Sequence, residues 1–428
     1  MTSPHTTHTA AADAAAASEA AWRGYIRSWL ADHQLPVPPP GAPVADLVAF
    51  DRQWLRELHC GGLAAPQWPR WAGGLEVPPS HEIALHQEFL QAGARWPDTF
   101  YTALNHAGRA VIVHGTPEQR RRHIGEILNG ATVWCQAFSE PDAGSDLASL
   151  RTFAERHGDV YVVRGQKVWS SSAHIADRAI LLARTSRDRP RHRGISFFLL
   201  DMRSPGVTVR PIRQMTGGGE FCEIFLDDVE VPVEDRLGDE NAGWAVVHTV
   251  LSAERGPGFL RFVVTLNHLV EALLAGAAHA DRWPAGRPLD DGARRAKLAS
   301  LLADADVLTI VLERVLRELA TTGTLNPASS VVKLMFAELH RKITEVAVDL
   351  EGLPGQLAAP NGAAATLGEI PAAWMQHHLR SWTYLLGGGT SEIQRNHIAE
   401  GVLGLPREPR NAASPVPPTS PDPSHRER

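Results

Sequence analysis

Apolar residues change their spacing twice along the chain. From about residue 20 to 130 they recur at helical intervals, with loops at Pro36 to Pro40 and at Ala64 to Gly74. From about 131 to 240 they form short β-rich runs: Val160-Tyr161-Val162-Val163, Ile180-Leu181-Leu182, Ile195 to Leu200, and Cys222 to Leu226. Gly, Asp and Pro turns separate these runs, the pattern of a compact antiparallel sheet. From about 243 onward helices return and are long. Leu298, Leu301, Leu302, Ala305, Leu308, Leu312, Val315, Leu316 and Leu319 share one helical face, as do Leu339, Ile343, Val346 and Leu350. Several such helices in succession predict a bundle. The expected fold is α+β: an N-terminal helical domain over 21–130, a middle antiparallel β-domain over 131–240 and a C-terminal four-helix bundle over 241–407. Residues 1–20, rich in Ala, Thr and His, and 408–428, rich in Pro and Ser, are expected to be disordered tails.

Composition narrows the function. The 428 residues are 43% hydrophobic and 21% charged, ordinary for a globular protein with two or three cores. A net charge of -6 argues against nucleic-acid binding. Cys60, Cys135 and Cys222 have no close spacing, which points away from a disulfide framework and towards a reducing cytoplasm. His5, His8, His377 and His378 form no recognisable ligand set, so no metal site is expected. No apolar run approaches the 18 or so residues of a membrane helix, and no signal peptide is indicated.

Three segments carry candidate chemistry. Ala137 to Asp146 reads AFSEPDAGSD. Gly387 to Arg395 reads GGGTSEIQR, where Ser391 and Gln394 have capping-box spacing behind three glycines. Such a helix start favours an anion such as a pyrophosphate, though alone it also reads as a glycine turn between two helices. Gly165-Gln166-Lys167-Val168-Trp169-Ser170-Ser171-Ser172 places an indole beside hydroxyls, able to meet a flat ring and its polar edge, or simply to pack in a turn.

Taken together, and with Gly62-Leu63-Ala64-Ala65-Pro66 and Gly73-Gly74 near the start, these segments resemble the acyl-CoA dehydrogenase family of flavoproteins from about Leu47 to Pro406. The resemblance implies FAD. It places Phe138 and Ser139 at the flavin edge, Trp169 and Ser171 beside the isoalloxazine, and Thr390 and Glu392 at the adenosine half. Ser145 falls where the family contacts the acyl-thioester arm, and Arg255 sits beside the substrate as well. A neighbouring subunit completes the FAD site in the family, so a homodimer or homotetramer is implied. One departure stands out. The family's Arg-x-x-Phe-Gly-Arg segment reads Arg282-Trp283-Pro284-Ala285-Gly286-Arg287 here. Arg282 can still pair with phosphate, but the ring is gone.

The family's base is often the Glu of a Glu-Gly-Thr triplet, which reads Gly388-Gly389-Thr390 in this chain. An alternative family position lies on an early bundle helix just before an arginine, and Leu251-Ser252-Ala253-Glu254-Arg255 supplies Glu254 there. By resemblance, Glu254 takes the α-proton, and the Gly388 backbone N–H, with the FAD ribityl hydroxyl, holds the thioester carbonyl. Without the resemblance, Glu254 and Arg255 read as a surface pair. Pro257 and Gly258 are expected to disturb the helix after the base. The implied reaction converts an acyl-CoA or acyl-carrier-protein thioester to its trans-2-enoyl form, with electrons passing to an electron-transfer flavoprotein. The basic run Arg187, Arg189, Arg191, His192 and Arg193 could meet CoA phosphates or an acidic carrier, or could be a solvated loop. Competing expectations are a flavin monooxygenase of the same fold, a binding role as in DNA-damage-linked relatives, and one subunit of a heteromeric dehydrogenase.

Overall fold

A computed structural model describes residues 4–33, 42–189, 191–255, 257–279, 286–322, 326–356 and 374–407, and excludes the side chains of 4–7, 252–255, 257, 320 and 354. The N-terminal part holds α1 (Pro4–Ala17), α2 (Glu19–Asp32), α3 (Val44–Cys60), α4 (Pro79–Gln91), α5 (Gly108–His114) and α6 (Pro117–Leu128). The middle part holds β1 (Trp134–Ala137), β2 (Phe153–His157), β3 (Val160–Ser171), β4 (Arg178–Arg184), β5 (Ile195–Asp201), β6 (Val207–Pro211), β7 (Phe221–Pro232) and β8 (Arg236–Leu237). The C-terminal part holds α7 (Gly243–Arg255), α8 (Pro257–Ala277), α9 (Gly292–Thr322), α10 (Ser329–Glu351), α11 (Trp374–Leu386) and α12 (Ser391–His397).

The strands form one sheet in the order β6-β7-β3-β2-β4-β5-β8, with β1 beside β4. Pairing is antiparallel except where β1 and the start of β2 run parallel to β4. The period-two rule explains why β4 and β5 read as continuous apolar runs, because both faces of the sheet are covered. Ile180 and Leu182 face the N-terminal helices and α7, while Ala179, Leu181 and Ala183 face the opposite core. A separate core fills the bundle of α8, α9, α10 and α11. Burying that apolar surface, at roughly 25 cal/mol per Å², is what holds the long helices together.

Two expectations change. Residues 1–20 are not a disordered tail throughout. Residues 4–17 form α1, with Ala11 fully buried and the Ala15 carbonyl 3.1 Å from His81 Nε2. An alanine-rich stretch has high helix propensity, and docking on a neighbouring helix supplies what composition could not. The 408–428 segment lies outside the described residues, as do Pro36 to Pro40. Secondly, the segment Gly258–Ala277 is long and apolar enough to cross a membrane, contrary to the expectation of no such run. Its apolar positions are spent on the bundle core, where Leu260, Val263, Leu266, Leu269 and Leu273 are buried. On α9, Leu302 turns outward, while its predicted face-mates Leu298, Leu301, Ala305, Leu308, Leu312, Val315 and Leu316 are buried.

Candidate active site

The segment after β1 is anchored to β3 by a buried ion pair. Lys167 Nζ donates to the Phe138 carbonyl at 3.0 Å and to Glu140 Oε1 at 2.8 Å. Glu140 also accepts from the backbone N–H groups of Arg151 (2.6 Å) and Thr152 (2.9 Å). Burial alone would raise the Glu140 carboxyl, but the Lys167 charge and these hydrogen bonds outweigh it and hold the group below the usual carboxylate range. Burial pulls Lys167 down to about 8 against the pull of Glu140, so the pair is ionised at pH 7. The Val168 N–H donates to the Ser139 carbonyl at 2.9 Å, which sets Ser139 beside Trp169. Phe138, Ser139, Trp169 and Ser171 are therefore brought together. Ser145 is exposed further along the same segment, next to Asp146, which pairs with Arg191 of the basic run at 3.1 Å.

The end of β3 is bent for display. Its ladder with β7 shifts register between Lys167 and Ser170, and Trp169 (φ 62) and Ser172 (φ 60) both sit in the left-handed region. Side chains other than Gly rarely adopt that conformation unless their surroundings enforce it. The result is an indole that is 60% exposed, met edge-on by Phe221 at 6.2 Å, with Ser171 exposed beside it. A large aromatic held outward at a strained position, with hydroxyls alongside, fits a flat ring with a polar rim. These residues therefore suit the isoalloxazine of FAD. Ser172 N–H donates to the Glu220 carbonyl at 2.7 Å, and the Glu220 carboxylate lies 3.6 Å from Arg380 of α11, joining this strand end to the bundle.

The corner between α11 and α12 carries Gly388, Thr390 and Glu392. The helix starts one residue earlier than the capping-box spacing predicts. Thr390, not Ser391, is the N-cap, and its hydroxyl accepts from Ile393 N–H at 3.3 Å. Gln394 is instead turned back on the corner, donating to the carbonyls of Gly388 (3.0 Å) and Gly389 (3.2 Å). Lys333 of α10 donates to the Gly389 carbonyl at 2.5 Å and to the Tyr384 carbonyl at 2.9 Å. Gly388 has φ 66 and Gly389 φ 94, conformations a side chain would strain. Lys333 and Gln394, both buried, thus fix this corner; Gln394 was expected to close a capping box instead, and Lys333 was passed over in the sequence. The signal available was a lysine inside the apolar run Val331-Val332-Lys333-Leu334-Met335-Phe336. The exposed Glu392 carboxyl is held below its ordinary value by its own backbone N–H and the Thr390 hydroxyl.

The described part of α7 runs to Arg255 and that of α8 starts at Pro257; residue 256, where a disturbance of the helix after Glu254 is expected, lies outside the described residues. The Glu254 and Arg255 side chains lie outside the described residues, as does Arg282. The start of α8 lines a small pocket with the N-terminal domain, through Gly258 and Arg261 on one side and Gln67, Glu82, His86 and Asn105 on the other.

Comparisons with known proteins agree with this architecture. Residues 135–229 match the profile "Acyl-CoA dehydrogenase, middle domain", and 241–403 match "Acyl-CoA dehydrogenase, C-terminal domain". The chain is 36% identical to the acyl-CoA dehydrogenase IpdE1 of Mycobacterium tuberculosis, over 90% of this chain and 98% of that one. It belongs to the acyl-CoA dehydrogenase family. Members of this family are FAD-dependent oxidoreductases acting on acyl-CoA, and that class and cofactor apply to this chain. Among solved structures, it superposes on the ChsE4-ChsE5 complex from Mycobacterium tuberculosis with TM-score 0.75 and 28% identity, covering 91% of this chain and 98% of that one. It also superposes on a variant of the Tcur3481-Tcur3483 steroid ACAD with TM-score 0.76 and 25% identity, covering 91% and 99%. The α+β fold of helical domain, antiparallel β-domain and helical bundle is thus shared with these structures.

Proposed function

We propose that this acyl-CoA dehydrogenase forms the trans-2-enoyl thioester with Glu254 as the α-proton base. One juxtaposition carries the proposal. The glycine corner offers no carboxylate at Gly388, while Glu254 lies in the last described turn of α7, a few residues before Gly258 and Arg261, which line the pocket. FAD, when bound, would supply the two-electron acceptor for the hydride lost from the β-carbon. The protein's residues do the rest. The thioester carbonyl is held at the Gly388 corner, where Gln394 and Lys333 fix the peptide direction so that a backbone N–H can stabilise the developing negative charge. Glu254 removes the α-proton as general base. Phe138, Ser139, Trp169 and Ser171 position the flavin edge; Thr390 and Glu392 take the adenosine half, with Arg282 of a neighbouring copy on the pyrophosphate. Ser145 and Arg255 guide the thioester arm.

Two of the similar structures carry paired names, the ChsE4-ChsE5 complex and the Tcur3481-Tcur3483 steroid ACAD. They support a second reading, in which this chain works as one subunit of a heteromer instead of a homodimer or homotetramer. An electron-transfer flavoprotein is the proposed acceptor. The test is an anaerobic titration of the yellow holoenzyme with a panel of acyl-CoA and acyl-carrier-protein thioesters. Stoichiometric loss of flavin absorbance with formation of the 2-enoyl product is expected. Flavin that stays oxidised against every thioester, yet once reduced chemically is reoxidised rapidly in air with an amine substrate that becomes oxygenated, would instead indicate monooxygenation.

A further inference from the structure

The proposed flavin edge and the glycine corner belong to different domains, yet hydride transfer needs them at a fixed separation. The flavin edge is the end of β3, where Trp169 and Ser172 sit in the left-handed region. Such a conformation persists only where neighbouring groups enforce it. The Ser172 N–H donates to the Glu220 carbonyl at 2.7 Å, so Glu220 closes the turn that follows Ser171. Glu220 itself follows Gly217-Gly218-Gly219, a run with no side chains to hold it in place. A Cβ on Gly218 would lie 2.4 Å from Glu220 Oε2, so glycine at that position makes room for the carboxylate. The carboxylate reaches across to Arg380 of α11 at 3.6 Å. Among the described residues this is the one ion pair between the middle domain and α10, α11 or α12. Burial works against the Arg380 charge, but Tyr384, Glu220 and Asp98 outweigh it and hold the group above its ordinary value. Arg380 thus stands among groups from all three domains, and Asp98 is itself paired with Arg261 of α8.

Six residues after Arg380, α11 ends at Leu386 and the chain enters the corner at Gly387-Gly388-Gly389. A helix is stiff, so a displacement at Arg380 is carried to that end, about 9 Å along the axis. Lys333 locks the end by donating to the Tyr384 and Gly389 carbonyls. We infer that Arg380 is a positioning residue: through Glu220 it ties the end of β3 to the helix that leads into Gly388, and so sets the flavin edge against the corner that holds the thioester carbonyl. The inference rests on the proposed dehydrogenation for what those two places hold. Each side chain of the pair is about a third exposed, so the pair adds little to overall stability. Its effect is on alignment, where a shift of about 1 Å costs up to about a hundredfold in rate.

The test uses the FAD-loaded enzyme and its Glu220→Gln, Arg380→Gln and Arg380→Lys variants. Three quantities are read for each: the limiting rate of anaerobic flavin reduction by a thioester, affinity for the matching 2-enoyl thioester by calorimetry, and the visible circular dichroism of the bound flavin. The last two need no turnover. Glu220→Gln keeps the backbone bond to Ser172 and removes only the charge. It is expected to slow flavin reduction by about 10- to 100-fold and to change the dichroism, with affinity within about threefold and Tm within about 4 °C of the parent. Arg380→Gln should do the same, and Arg380→Lys should recover most of the rate. The Glu220→Gln/Arg380→Gln double variant should be no slower than Arg380→Gln alone. A residue that merely supports the fold would lower Tm and leave the limiting rate and the dichroism in place. A Glu220→Gln enzyme with the parental rate and dichroism overturns the inference, as does a double variant whose losses multiply. Glu220→Gln decides the matter even if the Arg380 variants fail to fold. If no thioester reduces the parent flavin, the dehydrogenation proposal fails, and the dichroism of the same variants decides the tether by itself.

Discussion

Lys167 offers a quantitative test of how the flavin edge is held. Its ammonium is fully buried and answers two groups, the Phe138 carbonyl at 3.0 Å and Glu140 at 2.8 Å. In Lys167→Met the Glu140 carboxylate remains buried with only the backbone N–H groups of Arg151 and Thr152 to stabilise it. Breaking a buried pair by removing one partner costs about 3–5 kcal/mol. At roughly 2–4 °C per kcal/mol for a domain of that size, Tm should fall by about 10 °C. The same change frees the 138–146 segment, so FAD should dissociate below the unfolding temperature. Calorimetry and the rise in free-flavin fluorescence on heating measure the two effects separately. Glu140→Gln placed on top of Lys167→Met removes the stranded charge and should recover part of the loss. Acid provides a further check. Because the Glu140 carboxyl is held low in the folded state, its contribution is complete above the unfolded carboxylate pKa of about 4.3 and is lost as pH falls through the folded value. A Lys167→Met enzyme that melts within about 2 °C of the parent and keeps its flavin would refute this account of the ion pair.

Other expectations follow from single side chains. Among the described residues both ring nitrogens of His340 lack partners, and burial, with the charges of His377, Arg380 and His378, pulls the group down to about 3. A depressed folded pKa favours the neutral ring, so its contribution is whole above about pH 6.5 and declines below it, by roughly 2 kcal/mol at pH 5. His340→Met should therefore flatten the fall in Tm between pH 7 and pH 5, and an unchanged slope would contradict the assignment. Trp169 is 60% exposed, so Trp169→Ala should change stability by less than about 1 kcal/mol while weakening FAD binding about tenfold, measured by apoenzyme reconstitution. Loss of stability with FAD affinity intact would mean that the indole is a packing residue.

The layers were legible because each is dictated by spacing. Strand runs such as Ile195 to Leu200 are buried on both faces, and the heptad-like leucines of α9 fall on one core face. The role of Gly74 is likewise explained by contact, since a Cβ there would lie 2.1 Å from the Trp68 carbonyl oxygen. What sequence could not supply was tertiary context. The Ala-rich start becomes a helix because α2 and α3 offer it a surface, and Leu302 leaves the core because a face one residue too wide cannot all turn inward. The cap at the α12 corner moved from Ser391 to Thr390 because Gln394 is recruited by the glycine carbonyls instead of closing a box. Lys333 and Arg380 were passed over for a common reason. Each is a charged residue in a helix whose meaning depends on what lies across a space of several ångström, and spacing along one chain does not report that.

The placement of the base is tested most directly by mixing Glu254→Gln holoenzyme anaerobically with a thioester that reduces the wild-type flavin, while following flavin absorbance and ligand binding together. The account predicts that the variant binds FAD and the thioester normally and that its flavin stays oxidised, with reduction slowed by several orders of magnitude. Flavin reduction at the wild-type rate would show that another group takes the α-proton and that the glycine corner had no need of a substitute on α7.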